Sequence, residues 1–186
     1  MVDKIDERPP PASTHVVRIT SQQAATGQLQ TALWLWFHEQ DLASTHRLAI
    51  AAQGLFNAMC KEKGIQGSQM NAAAERHPRG FRDFIRSPQN FFKHGRHKQK
   101  HEGIVSHAPE LTELVLLDCL SMHQRLFDQV TPLMTAFAIR HSLFNPNVFK
   151  IKIETKGIKI EDLARLGRTD FLKEVLPRLG GMTPSA

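Results

Sequence analysis

"PELTELVLLDCLSMHQRLFD", residues 109–128, is the stretch on which the fold turns. Pro109 suits the first position of a helix, where a missing backbone N–H leaves nothing unpaired. Glu110 then sets a negative charge against the positive end of the helix dipole. Leu111, Val115, Cys119, Met122 and Leu126 return every three or four residues and draw one continuous apolar face. Such a face is stable only when other elements cover it.

The flanking sequence offers more helices to do so. Thr20 or Ser21 can cap a helix to about Gln40, with Leu29, Leu33, Trp36 and Phe37 on one side. Its end, "LWLWF", is apolar nearly all round, which predicts either a central place in a bundle or burial by a second subunit, a homodimer. Asp41 or Ser44 opens a second helix to about Glu62, with Thr45, Leu48, Ala52, Leu55 and Met59 as its seam and Gly64 as its stop. His46, Gln53 and Asn57 fall on the opposite face. Residues 63–77 read as a polar connection. Pro78 starts a third helix that buries Phe81, Phe84 and Ile85, and Pro88 is expected to kink it or restart it at Ser87 before Gly95 ends it. Pro132 begins the last core helix and Asn145-Pro146 closes it.

The composition agrees with helices. Among 186 residues, 41% are hydrophobic, Tyr is absent, and Ala, Leu, Gln and Met are plentiful, side chains that lose little freedom in a helix. The expected fold is therefore all-α, an up-and-down bundle of about five helices over residues 20–149. A disordered arm with Pro9, Pro10 and Pro11 occupies residues 1–19. A C-terminal appendage fills residues 150–186, where the alternation of "KIKIETKGIKI" suggests a hairpin and Ile160 to Leu176 an amphipathic helix.

Several function classes are excluded at this level. No apolar run reaches the ~20 residues of a membrane span, and the first residues lack the apolar core of a secretory signal, so no membrane association and a cytoplasmic location are expected. Cys60 and Cys119 sit beside Met and Leu inside helices, as buried thiols do. There is no P-loop, dinucleotide fingerprint, HExxH, paired CxxC or GxSxG, and no cofactor is expected. The formal charge of +6, with ten histidines besides, makes an anionic partner plausible.

The chemistry concentrates in "RSPQNFFKHGRHKQKH", residues 86–101. Asn90 and His94 are four apart, on one helical face, and can meet one phosphate or ribose. Arg86, Lys93, Arg96, Lys98, Lys100 and His101 are the residues expected to bind nucleic acid. His94, His97 and His101 have the spacing of a stacked histidine triad, but the cations around them oppose a divalent ion, so no metal is expected.

Asn-x-x-x-His at the end of a helix in a small helical bundle resembles the HEPN superfamily of nucleotide-binding proteins. "FRDFIRSPQNFFKH" ahead of a Leu-rich helix is similar to small bacterial helical proteins across residues 20–149. The resemblance implies a dimer, a metal-independent endoribonuclease chemistry with His94 as the catalytic histidine, and Asn90 as its polar companion. Gln89 stands where the family carries Arg, and lacks the fixed positive fork that holds a phosphate, so weak or absent cleavage is expected. Arg96 to His101 matches the signature's spacing, without an apolar side to anchor a helix. Asp118, on the buried side of its helix, is expected either to pair with Arg125 or to orient His94 or His46 as a catalytic carboxylate. The functional expectation is a protein that binds RNA or another polyanion; the alternative is a non-enzymatic module that docks a protein partner.

Overall fold

The computed structural model describes residues 16–77, 79–94, 107–146 and 160–179. Within 79–94 the side chains described are those of Arg79, Gly80, Asp83, Phe84, Ile85, Pro88, Asn90 and Phe91. Among these residues all regular structure is helical, eight helices with no strand. They are α1 (Ser21–Phe37), α2 (Leu42–Glu62), α3 (Gln69–Arg76), α4 (Arg79–His94), α5 (Pro109–Phe127), α6 (Pro132–Phe144), α7 (Ile160–Arg165) and α8 (Arg168–Leu179).

The helix ends follow local chemistry. Thr20 closes a capping box: its hydroxyl accepts the Gln23 amide at 3.1 Å while the Gln23 side chain accepts the Thr20 amide at 2.9 Å. The Asp41 carboxylate accepts from the Ser44 hydroxyl and from the amides of Ser44 and Ala43, and these bonds, the hydroxyl's first, hold its acid below the usual range. Gly64, at φ +65°, turns the chain out of α2 in a conformation that costs other residues a Cβ clash. Asp128, left-handed at φ 50°, does the same for α5, with its amide still bonded to the Gln124 carbonyl.

α2 lies between α1 and α5, and this sandwich decides which of its faces are buried. Thr45, His46, Ala49, Ala52, Gln53, Phe56 and Cys60 are buried, whereas Leu48, Leu55 and Met59 are only half-buried. The face that carries His46 and Gln53, opposite the expected seam, is thus turned inward as well, and the exposed side of α2 is the one with Arg47, Ala51, Gly54 and Ala58. α5 buries its whole expected seam. Leu114 on the same helix is exposed.

The core is aromatic where α1, α6 and α8 meet. Phe37 lies edge-on to Phe137 at 6.5 Å between centroids and parallel to Phe171 at 6.3 Å, and all three are fully buried. "LWLWF" is mostly consumed inside the chain: Leu33, Trp36 and Phe37 are buried and Leu35 half-buried, which leaves Trp34 at 50% exposure. α7 and α8 send Leu163, Phe171, Leu172 and Val175 into the same core, so this segment closes the bundle as well as following it. It is broken at Gly167 into two helices where one was expected. Gln69–Arg76, within the stretch read as a connection, is helical. α4 runs on through Pro88, whose buried ring offsets the lost backbone bond, with no restart at Ser87. Phe84, expected in the core, is 55% exposed, and Ile85 is the buried neighbour. The expected hairpin and most of the N-terminal arm lie outside the described residues.

Candidate functional site

α4 packs on α2 and α3, and Ile85 joins Ala74 of α3 and Leu111 of α5 in a small cluster of their own. This places Asn90 on the exposed side of α4, one turn before His94, the helix's last residue. Arg86 and Lys93 are also carried by α4. Arg96, Lys98, Lys100, His101 and the His97 of the candidate triad lie outside the described residues.

The charge of the molecule is gathered here. Residues 76–101 hold eight Lys and Arg against Asp83 alone, a charge of +7 where the whole chain has +6, so everything else comes to −1. Arg76 at the end of α3 and Arg79 at the start of α4 are both exposed. The positive excess of the chain therefore falls within this one stretch of sequence.

Asp118 has another occupation. Its Oδ2 accepts from Gln53 Nε2 at 2.8 Å and from the Ser68 hydroxyl at 2.5 Å, and its Oδ1 accepts the Gln69 amide at 2.9 Å. Ser68 is the N-cap of α3, its hydroxyl also accepting the Asn71 amide, and its own amide donates to Asn57 Oδ1. A carboxylate on α5 thus holds the start of a helix far away in sequence, and its negative charge suits the helix N-terminus. Arg125 does not supply the expected pair: its guanidinium donates to Ser121 Oγ at 3.0 Å and to the Gly67 carbonyl at 3.1 Å. The histidine that Asp118 was expected to orient from α2, His46, takes a different partner.

His46 is fully buried, and its Nδ1 lies 3.1 Å from the Thr112 hydroxyl. His107 Nε2 reaches the same oxygen at 2.8 Å, and the two rings are 4.2 Å apart. The hydroxyl has one proton, so at least one ring meets it as an N–H donor. Burial, and then the neighbouring His107, push His46 down to about 3; burial also lowers His107, with Glu110 opposing. Both are neutral imidazoles at neutral pH. Sequence reasoning missed the cluster, though His46 and Gln53 at i, i+7 on α2 were a signal that two polar groups share one line.

A second polar junction ties the C-terminal helix to the bundle. Glu113 Oε1 accepts from Trp36 Nε1 at 3.2 Å and from Arg168 at 3.0 Å, and His141 Nδ1 lies 3.9 Å from its other oxygen. The Arg168 guanidinium also lies over the Trp36 ring at 4.3 Å. Two further histidines and both cysteines pack within the fold. His123 is buried edge-on to Phe56 and Phe127, and His38 Nδ1 meets the Trp34 carbonyl at 2.8 Å. Cys60 and Cys119 are free, buried thiols, both pushed upward by burial.

Among the described residues, no three histidines, cysteines or carboxylates come together as metal ligands. No helix among them is long and apolar enough to cross a membrane. Comparison of the chain with protein-family models, curated proteins and solved structures finds no match.

Proposed function

We propose that this chain is a cytoplasmic RNA-binding protein of the HEPN kind, taking RNA or another polyanion along residues 76–101 and cleaving it weakly or not at all. The observation that carries this reading is the charge distribution, +7 within that stretch and −1 in the rest of the chain. Phosphates are bound by Lys and Arg with release of counterions, a term that needs clustered cations and no particular base sequence. Asn90 and His94 keep the one-turn spacing that the resemblance requires. Gln89 leaves that pair without the arginine fork, which is why binding is favoured over catalysis.

Fluorescence anisotropy with a labelled single-stranded RNA, read from about 50 to 200 mM salt, tests the proposal. Affinity should fall steeply across the series. An absence of RNA association at the lowest salt contradicts the reading. EDTA-resistant cleavage that disappears in His94→Ala, with binding retained, would instead make the protein an active nuclease.

A homodimer belongs to the same proposal, and Trp34 is the residue of "LWLWF" left exposed for a partner copy. Light scattering at micromolar concentration should give the dimer mass, and a monomer mass rejects it. The alternative, a protein-docking module, draws on Val16, Val17 and Ile19, at 81%, 76% and 66% exposure just before α1.

A further inference from the structure

We infer that Phe84 is a stacking platform for an unpaired base, which makes the polyanion a single-stranded nucleic acid; this rests on the reading above. Phe84 stands on α4 with 55% of its surface in solvent, although the helix has a buried side that takes Ile85 and Pro88. An aromatic ring held in water, inside the one stretch that carries the protein's positive excess, has no use in the core. Cations track the backbone of a single strand while a ring takes the flat face of a base, and together they form the usual construction of single-strand sites.

Helical side chains lean toward the N-terminus, so the turn next to Phe84 is the one that carries Gly80, four residues earlier on the same face. A Cβ added at Gly80 would meet nothing within 4 Å. Gly80 therefore adds no side chain that would compete with a base for the ring. A duplex keeps its bases stacked on one another, and a polyanion without bases has nothing to offer the ring, so each predicts a different response to loss of the aromatic group.

The test compares wild type, Phe84→Ala, Phe84→Trp and Gly80→Leu against a single-stranded RNA oligonucleotide and against inorganic polyphosphate at the same salt. Phe84→Ala should weaken the oligonucleotide by about 5- to 150-fold and leave polyphosphate unchanged, since one stacked base is worth that much and no phosphate contact is lost. Its salt slope should match wild type. Phe84→Trp should restore single-strand affinity. Gly80→Leu, whose side chain would pack along the ring from i−4, should lower it as Phe84→Ala does. Thermal melting of each variant should stay near wild type, because neither position contributes to the core. Equal losses for oligonucleotide and polyphosphate, or an unchanged oligonucleotide affinity in Phe84→Ala, overturn the inference and leave polyanion binding standing. A wild type that binds neither ligand overturns the proposed function itself.

Discussion

His46 and His107 converge on one hydroxyl, that of Thr112, with their rings 4.2 Å apart inside the bundle. The contact fixes the chain just ahead of α5 to α2, and His107 is the first described residue after the basic run. Burial keeps both imidazoles in the neutral form at neutral pH.

Acid should therefore loosen the fold. His46 is held at about 3 in the native state against 6.5 in an unfolded chain, so the unfolded state binds a proton that the native state refuses. Its contribution is complete above pH 6.5 and is lost progressively as pH falls toward 3. The slope for one such group is about 1.4 kcal/mol per pH unit, and the lowered His107 acts in the same direction. Urea unfolding of wild type and His46→Phe at several pH values between these limits checks this. The variant should lose stability more slowly on acidification; parallel curves would show that His46 is not the group responsible.

Asp118 is predicted to matter for stability rather than for RNA. Asp118→Ala leaves Gln53, Ser68 and the Gln69 amide without their acceptor and should cost on the order of 3 kcal/mol in urea unfolding, most visibly through loss of α3. Asp118→Asn keeps one oxygen for Gln53 and Ser68 but turns its amide nitrogen toward the Gln69 N–H, and should fall between. RNA affinity measured under folding conditions should not change. A stable Asp118→Ala that no longer binds or cleaves RNA would return this carboxylate to the functional site.

These two clusters show where the sequence was legible. The seam of α5, the caps of α1 and α2, the start of α6 at Pro132 and the helix stops at Gly64 and Asn145 are local matters, decided by residues within a turn or two, and could be read directly. The start of α3 was missed although Ser68 caps it locally, because the carboxylate that holds Ser68 and the Gln69 amide in place comes from Asp118 on a distant helix. The polar line of His46 and Gln53 was left on the face opposite the seam, because a single helix gives no sign of being covered on both sides. Phe84 was misplaced for the opposite reason: hydrophobicity suggests burial, and only the packing of Ile85 and Pro88 shows which side of α4 is turned inward. For the site, Asn90 and His94 were legible as a helical pair, while the role of Asp118 was not.

Arg168 is predicted to hold the C-terminal helix in place through Glu113 and the Trp36 ring together. Arg168→Ala should cost about 1–2 kcal/mol, the sum expected of a partly buried ion pair and a cation–π contact. Arg168→Lys should rescue little, since an ammonium cannot lie flat on the indole while meeting the carboxylate. Hydrogen exchange in α8 is the readout. Unaltered protection in Arg168→Ala would mean that Phe171, Leu172 and Val175 suffice alone.

The central claim, that residues 76–101 hold RNA through phosphate contacts, is tested most directly by the salt dependence of Arg96→Ala, Lys98→Ala, Lys100→Ala combined in one chain. For single strands each lost phosphate contact removes about 0.7 from the slope of log affinity against log salt, so the triple variant should bind more weakly at low salt with a slope shallower by about 2. Its unfolding transition should match wild type. A triple variant with the affinity and slope of the parent chain would contradict the account.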